Sequence, residues 1–423
     1  MLPERVRAIA QIGDVVTGTS ARTHETPTHE WRDHGRKRQV SSHGPGWDVS
    51  ALTGRTIQVL DSARSDLTAG TPRERRVTTR IGVLTAGGDA AGLNAAIRAV
   101  VRTAIGVHGF EVLGFRRGWR GVMDGDVIEL TSTSVQGILH RGGTILGSSG
   151  ADPYREQGVE RVRRTFADLG VDAVITIGGE GTMGAAAQMS AEGVPVVGIP
   201  KTIDNDLSGT DACIGFATAV QVATDAIDRL HTTAESHDRL MLVEVMGRSA
   251  GWIALFSGIA GGADTILLPE KPFDLDEIAS VLRRRHLTGH SFSIVVVAEG
   301  AMPAEGTMPA PEYLTDPRGD PRLGGIAYEI APRIEALTGW ETRVTVLGHV
   351  QRGGSPVAAD RIVATRFGEA ATELVAEGRF GQMVALQGDR IGQVPLAEAA
   401  KVRPVPEELV TVAELFFEER RRP

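Results

Sequence analysis

Two aspartates one residue apart stand just past an apolar run near the middle of the chain. The segment reads Pro200-Lys201-Thr202-Ile203-Asp204-Asn205-Asp206 and follows Val194-Pro195-Val196-Val197-Gly198-Ile199. In an open α/β sheet the carboxyl ends of strands carry the chemistry, and an aspartate aimed from one can take the proton of an attacking hydroxyl. Upstream, a second apolar run, Asp172-Ala173-Val174-Ile175-Thr176-Ile177, ends in Gly178-Gly179-Glu180-Gly181-Thr182. Glycine lets the backbone approach a phosphate, a helix start adds N–H donors, and Glu180 can hold Mg²⁺ directly or through water. A tight turn with a helix-starting acid would look the same locally. Gly87-Gly88-Asp89 repeats the device after Ile81-Gly82-Val83-Leu84-Thr85, without the further glycines of a dinucleotide fingerprint. Alone it reads equally as a plain turn. Two glycine loops beside a carboxylate pair point to phosphoryl transfer.

Cationic residues complete the pattern. Lys201 is one of four lysines in a chain that otherwise uses arginine, and a compact ammonium suits a phosphate as a point charge. Met246-Gly247-Arg248 follows Met241-Leu242-Val243-Glu244-Val245, and Glu341-Thr342-Arg343 opens another strand that ends in His349-Val350-Gln351-Arg352-Gly353-Gly354. Arginines beside glycines at strand ends suit bidentate capture of a phosphate monoester. Glu299, closing Ser293-Ile294-Val295-Val296-Val297-Ala298, is placed to accept sugar hydroxyls. His349 alone reads as packing or as a supporting donor.

These residues need a scaffold, and the pattern supplies one. Strand candidates at 81–85, 172–177, 194–199, 240–245, 264–268, 292–298 and 343–347 alternate with helical stretches at 93–105, 182–192, 215–234, 249–260, 275–285, 325–337 and 359–377. Such alternation predicts parallel βαβ units, and nearly continuous apolar strands predict sheets covered on both faces. Residues 1–78 are polar and aperiodic; they read as a disordered or mis-assigned N-terminal extension, and 79–423 as the folded region. With 423 residues, 41% of them hydrophobic, the chain can bury a large core. A net charge of −8 provides no basic field, so nucleic acid and membrane surfaces are not expected partners. Cys213 is the only cysteine, the start of the chain has no apolar signal segment, and no run approaches the roughly 20 apolar residues of a span. A cytoplasmic location is the expectation.

In order, Gly-Gly-Asp, Gly-Gly-Glu-Gly-Thr, Pro-Lys-Thr-Ile-Asp-Asn-Asp, Met-Gly-Arg, Glu-Thr-Arg and Gly-His-Val-Gln-Arg-Gly-Gly resemble the 6-phosphofructokinase family from Arg80 to Phe417. The resemblance implies two doubly wound α/β lobes with mostly parallel sheets and crossing chain segments, in a homotetramer built as a dimer of dimers. It implies phosphorylation of the 1-hydroxyl of fructose 6-phosphate, with Asp204 as base and Thr202 and Arg248 at the transferring group. Ile203, Met246, Gly247, Glu299, His349, Val350, Gln351 and Arg352 would hold the sugar phosphate, and Arg239 and Arg343 would reach in from a neighbouring subunit. Gly88, Gly150, Ala151, Gly179, Glu180, Gly181 and Thr182 would line the ATP site, with Mg²⁺ on Glu180. Arg98 and Arg102 match effector positions of relatives, though surface charge on a helix explains them more simply.

Donor choice turns on two positions. Pyrophosphate users carry Asp after the metal-binding acid and Lys before the catalytic Thr, whereas many ATP users carry Gly at both. Gly181 with Lys201 is a mixture, and the room left by Gly181 favours ATP. The chain departs from relatives in having Gly150 in place of a donor-site arginine, Ala91 in place of a proline and Glu180 in place of the commoner Asp. Arg155 is the nearest arginine to the gap. The missing arginine keeps open a weakly active paralogue that binds sugar phosphate and regulates another subunit. Lipid and dinucleotide kinases share the Gly-Gly-acid-Gly-Thr loop but lack the Gly-His-Val-Gln-Arg-Gly-Gly segment.

Overall fold

Two twisted sheets, each with helices on both faces, are built from alternating strands and helices in the compact unit Arg76–Pro423. The computed structural model describes residues 78–309, 315 and 323–417. The expected N-terminal extension lies outside the described residues, apart from residue 78.

The first sheet has seven strands: β1 (Arg80–Thr85), β2 (Glu111–Phe115), β3 (Val127–Leu130), β4 (Ala173–Gly178), β5 (Val196–Pro200), β10 (Gln382–Gln387) and β11 (Arg390–Pro395). Their spatial order is β11-β10-β5-β4-β1-β2-β3. All pairs are parallel except the outer two, β2 with β3 and β10 with β11. From β1 the chain builds outward through β2 and β3, then returns to build the other side from β4. That reversal makes the gap between β1 and β4 a switch point, where loops diverge and leave a crevice at the strands' carboxyl ends.

The second sheet takes β6 (Leu240–Val245), β7 (Thr265–Leu267), β8 (Ser293–Ala298) and β9 (Thr342–Val346), all parallel, in the order β7-β8-β6-β9. β4, β5, β6 and β8 are buried along their whole lengths, because helices cover both faces. Full burial of an isoleucine such as Ile175, Ile177 or Ile294 contributes about 1.5–3 kcal/mol each.

Two of the helices start under the control of acids distant in the chain. α1 (Leu93–Thr103), α4 (Glu180–Ala191), α5 (Phe216–His237), α6 (Trp252–Ala260) and α8 (Ile326–Thr338) all have glycine N-caps, which supply no side-chain cap. Asp360, at the start of α9 (Ala358–Ala376), accepts from Gly215 N at 2.9 Å and Thr218 N at 2.7 Å and so caps α5. Glu244 in β6 accepts from Gly325 N at 2.7 Å and Ala327 N at 2.9 Å and so caps α8. Three further helices lie between the strands: α2 (Trp119–Asp124), α3 (Val159–Leu169) and α7 (Leu275–Leu287). The short α10 (Leu396–Ala399) and α11 (Glu407–Phe417) follow β11. Among the described residues no helix is long and apolar enough to cross a membrane.

The sequence pattern does not predict β2, β3, β10 and β11. β2 carries Gly114, β3 and β11 are edge strands with mostly exposed or half-buried residues, and the apolar run of β10 is only the four residues Met383 to Leu386. α3 is also absent from that pattern: only Val162 and Phe166 are buried along its 11 residues, and most of the rest is polar.

Candidate active site

One cleft of about 440 Å³ opens along the carboxyl ends of β1, β4 and β5, facing the loop after β6. Its wall takes Gly87 and Gly88 from the loop after β1, Gly179 to Thr182 from the start of α4, and Lys201, Thr202, Asp204 and Asp206 from the loop after β5. Ser149, Gly150, Ala151, Asp152 and Arg155 form one rim; Arg248 and Arg352 reach in from the other lobe. Both glycine loops, the aspartate pair and two of the arginines thus converge at the switch point.

Close packing explains Gly88 but not Gly181. A Cβ at Gly88 would lie 2.5 Å from Arg352 Nη1, so only hydrogen lets that guanidinium lie over the loop. Arg352 Nη1 also donates to Asp89 O at 3.1 Å, which fixes its approach. At Gly181 a Cβ would meet nothing within 4 Å: the position looks into open space.

The acids are buried and shifted. Asp204 is 5% exposed, and burial raises its pKa against the opposing pull of Arg352, Arg248 and Lys201. Its Oδ1 is buried without a hydrogen-bond partner, while its backbone N–H donates to Thr202 Oγ1 at 3.1 Å. Asp206 is pushed up to about 6 by burial and then by the neighbouring Asp204 charge. Between them Asn205 holds a left-handed φ of 52°, with Oδ1 accepting from Cys213 N at 2.8 Å and Nδ2 donating to Asp211 O at 3.2 Å. Arg248 is also left-handed, at φ 50°, and its N–H donates to Glu299 Oε1 at 3.1 Å. Strain of this kind concentrates where a side chain must be aimed.

Lys201 behaves differently from the expected point charge. Its buried ammonium donates to Ala86 O at 3.0 Å and to Gly88 O, and burial followed by the Arg352 charge pulls it down to about 8. It is therefore first a tie between the β5 loop and the first glycine loop.

Several expected contacts do not reach the cleft. The Ile203 side chain is fully buried in the apolar core with Ala90 and Phe216, because an isoleucine between polar neighbours turns inward. Met246 is core as well, and Gly247 makes the turn that presents Arg248. Gln351 is fully buried, and its Nε2 donates to Gly348 O at 3.1 Å. His349 and Val350 are exposed outside the cleft. Arg239 and Arg343 both pair with Glu341, also outside it. Arg239 precedes β6 and Arg248 follows it; six residues at a rise near 3.3 Å set those ends about 20 Å apart. Among sequence-silent residues, Asp152 lines the rim with Arg155, whose Nε lies 3.8 Å from Asp152 Oδ2. The only sequence signal was an arginine five residues past Gly150.

No group of three or more ligating side chains capable of holding a metal ion alone occurs among the described residues. The orphaned Asp204 Oδ1, with Asp206 and Glu180 on the same wall, suits a hard cation that takes its other ligands from phosphate and water.

Comparison with known proteins agrees with this geometry. The family model described as Phosphofructokinase matches residues 80–375. The chain is 55% identical over 340 residues to the pyrophosphate–fructose 6-phosphate 1-phosphotransferase of Amycolatopsis methanolica, covering 80% of this chain and 99% of that protein. It is 53% identical over 337 residues to the ATP-dependent 6-phosphofructokinase 3 of Streptomyces coelicolor, covering 79% and 99%. Among solved structures, Pichia pastoris phosphofructokinase in the T-state superposes with a TM-score of 0.68 at 33% identity, over 80% of this chain and 36% of that one. The converging loops, the two-lobed architecture and these similarities lead to one conclusion: the chain belongs to the phosphofructokinase family.

Proposed function

We propose that this chain transfers the γ-phosphoryl group of ATP to the 1-hydroxyl of fructose 6-phosphate, giving ADP and fructose 1,6-bisphosphate. Asp204 accepts the hydroxyl proton as the sugar oxygen bonds to phosphorus and the bond to the bridging oxygen of ADP breaks. A raised carboxylate pKa makes a better base, and its unpartnered Oδ1 leaves an acceptor for that proton. The α4 N-terminus and the loop after β1 supply backbone donors for the donor phosphates. Arg248, Arg352 and the rim residue Arg155 supply charge, so Arg155 stands in part for the arginine absent at Gly150. Bound Mg²⁺ would neutralise phosphate charge, held by Glu180 with Asp206 nearby, which leaves Asp204 free to act as base.

The open space beside Gly181 carries the choice of ATP. An aspartate side chain there would fill the region past the transferred phosphate; hydrogen leaves room for a nucleotide. Relatives of similar identity are named for either donor, so overall similarity does not decide the matter. Lys201 weighs little for pyrophosphate, because its ammonium is engaged by backbone carbonyls. Arg239 and Arg343, outside their own cleft, serve the sugar phosphate of a second copy in a homo-oligomer. Parallel assays of the purified chain with ATP and with pyrophosphate test the reading: turnover with ATP is expected, and turnover with pyrophosphate alone overturns it. Fructose 6-phosphate binding without turnover by either donor would instead favour a regulatory paralogue.

A further inference from the structure

The segment Lys401–Val405, just before α11, crosses from one lobe to the other directly behind the aspartate pair. Val402 bridges Leu207 in antiparallel fashion, and Ser208 N donates to Lys401 O at 3.1 Å, anchoring the strap to the β5 side. At its far end Val405 N donates to Glu270 Oε1 at 2.9 Å, and the same carboxylate accepts from Gly251 N at the start of α6. Arg403 sits at the midpoint. Its backbone N–H donates to Asp206 O at 2.7 Å, while its Nη2 donates to Asn205 O at 3.0 Å and reaches Asp211 O at 3.4 Å. The guanidinium lies 4.3 Å from the centroid of the Trp252 ring, and Trp252 Nε1 donates back to Arg403 O at 3.0 Å. Trp252 is the first residue of α6, four positions past Arg248.

Both carbonyls bounding the Asp206 backbone are therefore held by one residue, which is itself stacked on the helix that follows the Arg248 turn. We propose that Arg403 is a positioning residue: it holds the Asn205–Asp206 turn in its left-handed form and ties the aim of the aspartate pair to the lobe that presents Arg248. It does not line the cleft, so it acts only through these groups. A flat cation fits this place because its Nη2 meets two carbonyls while its plane lies against an aromatic face. An ammonium can meet carbonyls, as Lys201 does, but has no plane to lay against the ring.

The inference rests on the reaction proposed above for its kinetic readout, and a second readout makes it independent. Arg403→Ala and Arg403→Lys are compared with the parent and with the surface control Arg379→Ala. Arg403→Ala is expected to lower kcat about 100-fold with KM for fructose 6-phosphate within about threefold, since misplacement near 1 Å costs that much. Added methylguanidinium should recover part of the loss, and Arg403→Lys should fall between. Amide hydrogen exchange over residues 203–213 should quicken about tenfold or more in both variants, with β8 unchanged. Should Arg403→Ala fail to fold, the lysine variant, which keeps charge and stem, carries the comparison. A kcat within twofold of the parent in the variants, or unaltered exchange over 203–213, overturns the proposal. If the parent turns over neither donor, the reaction reading fails while the exchange comparison still decides the role of Arg403.

Discussion

The two sides of the cleft are made in different ways. The proposed donor side belongs to the seven-stranded lobe and is built mostly from backbone and short side chains, Gly87, Gly88, Ser149 to Asp152 and Gly179 to Thr182, with Glu180 and Arg155 its longer ones. The opposite side belongs to the four-stranded lobe and depends on long side chains, of which only Arg248 and Arg352 arrive. Arg239 and Arg343 stand at the amino ends of their strands, and His349 and Val350 face solvent. A switch point brings backbone donors together with no need for reach, because diverging loops end on helix N-termini. Arginines at the wrong end of a strand cannot cross about 20 Å, so these two do not reach the cleft of their own chain. One wall is thus made mostly from local loops, while the other depends on which long side chains reach it.

Substitutions can break that contrast at graded cost. Asp204→Asn, which touches the shared centre, should lower kcat about 10³-fold while calorimetry still finds fructose 6-phosphate binding. Retained rate removes the base assignment. Gly181→Asp places a carboxylate in the open space on the donor side; kcat/KM for ATP should fall about 100-fold, with fructose 6-phosphate affinity little changed. Arg343→Ala and Arg239→Ala should each raise KM for fructose 6-phosphate about tenfold and leave KM for ATP alone, as loss of a charged hydrogen bond implies. Mixing inactive Asp204→Asn subunits with Arg343→Ala subunits should restore tight sugar-phosphate use at some sites. No recovery on mixing would place Arg343 outside any active site.

The smallest expected effect is on stability. Asp206 titrates near 3.8 when unfolded and near 6 when folded. Between those values the folded chain binds more protons, so this residue's contribution to stability decreases as pH rises from about 4 to about 6. Asp206→Asn should flatten that slope in urea midpoints measured across the window. An unchanged slope would mean the charge pair is better solvated than its burial implies.

Much of the scaffold was legible because buried parallel strands advertise themselves. β4, β5, β6 and β8 are continuous apolar runs, and each ends in the motif that lines or supports the cleft. β10 and β11 were not, since a hairpin at a sheet edge needs little apolar surface and its pairing with β5 is settled only in space. Helix starts behind glycine N-caps were legible to within three residues, but the groups that cap two of them were not. The acids that cap them, Asp360 and Glu244, lie 145 and 81 residues away from the amides Gly215 N and Gly325 N. Ile203 was the opposite case: a residue inside the strongest motif whose apolar side chain turns into the core.

By itself the order of residues determined the chemistry on offer: two glycine loops, an Asp-Asn-Asp turn and arginines at strand ends, each tied to a local element by spacing. Only the tertiary structure decided which of them share a cleft, because reach depends on which end of a strand a residue occupies and on where the sheet reverses its order. It also decided that Lys201 binds carbonyls, that Gly181 faces open space and that Arg403 lies behind the acids. Those are relations between segments far apart in the chain, and close packing, which no local pattern encodes, sets them.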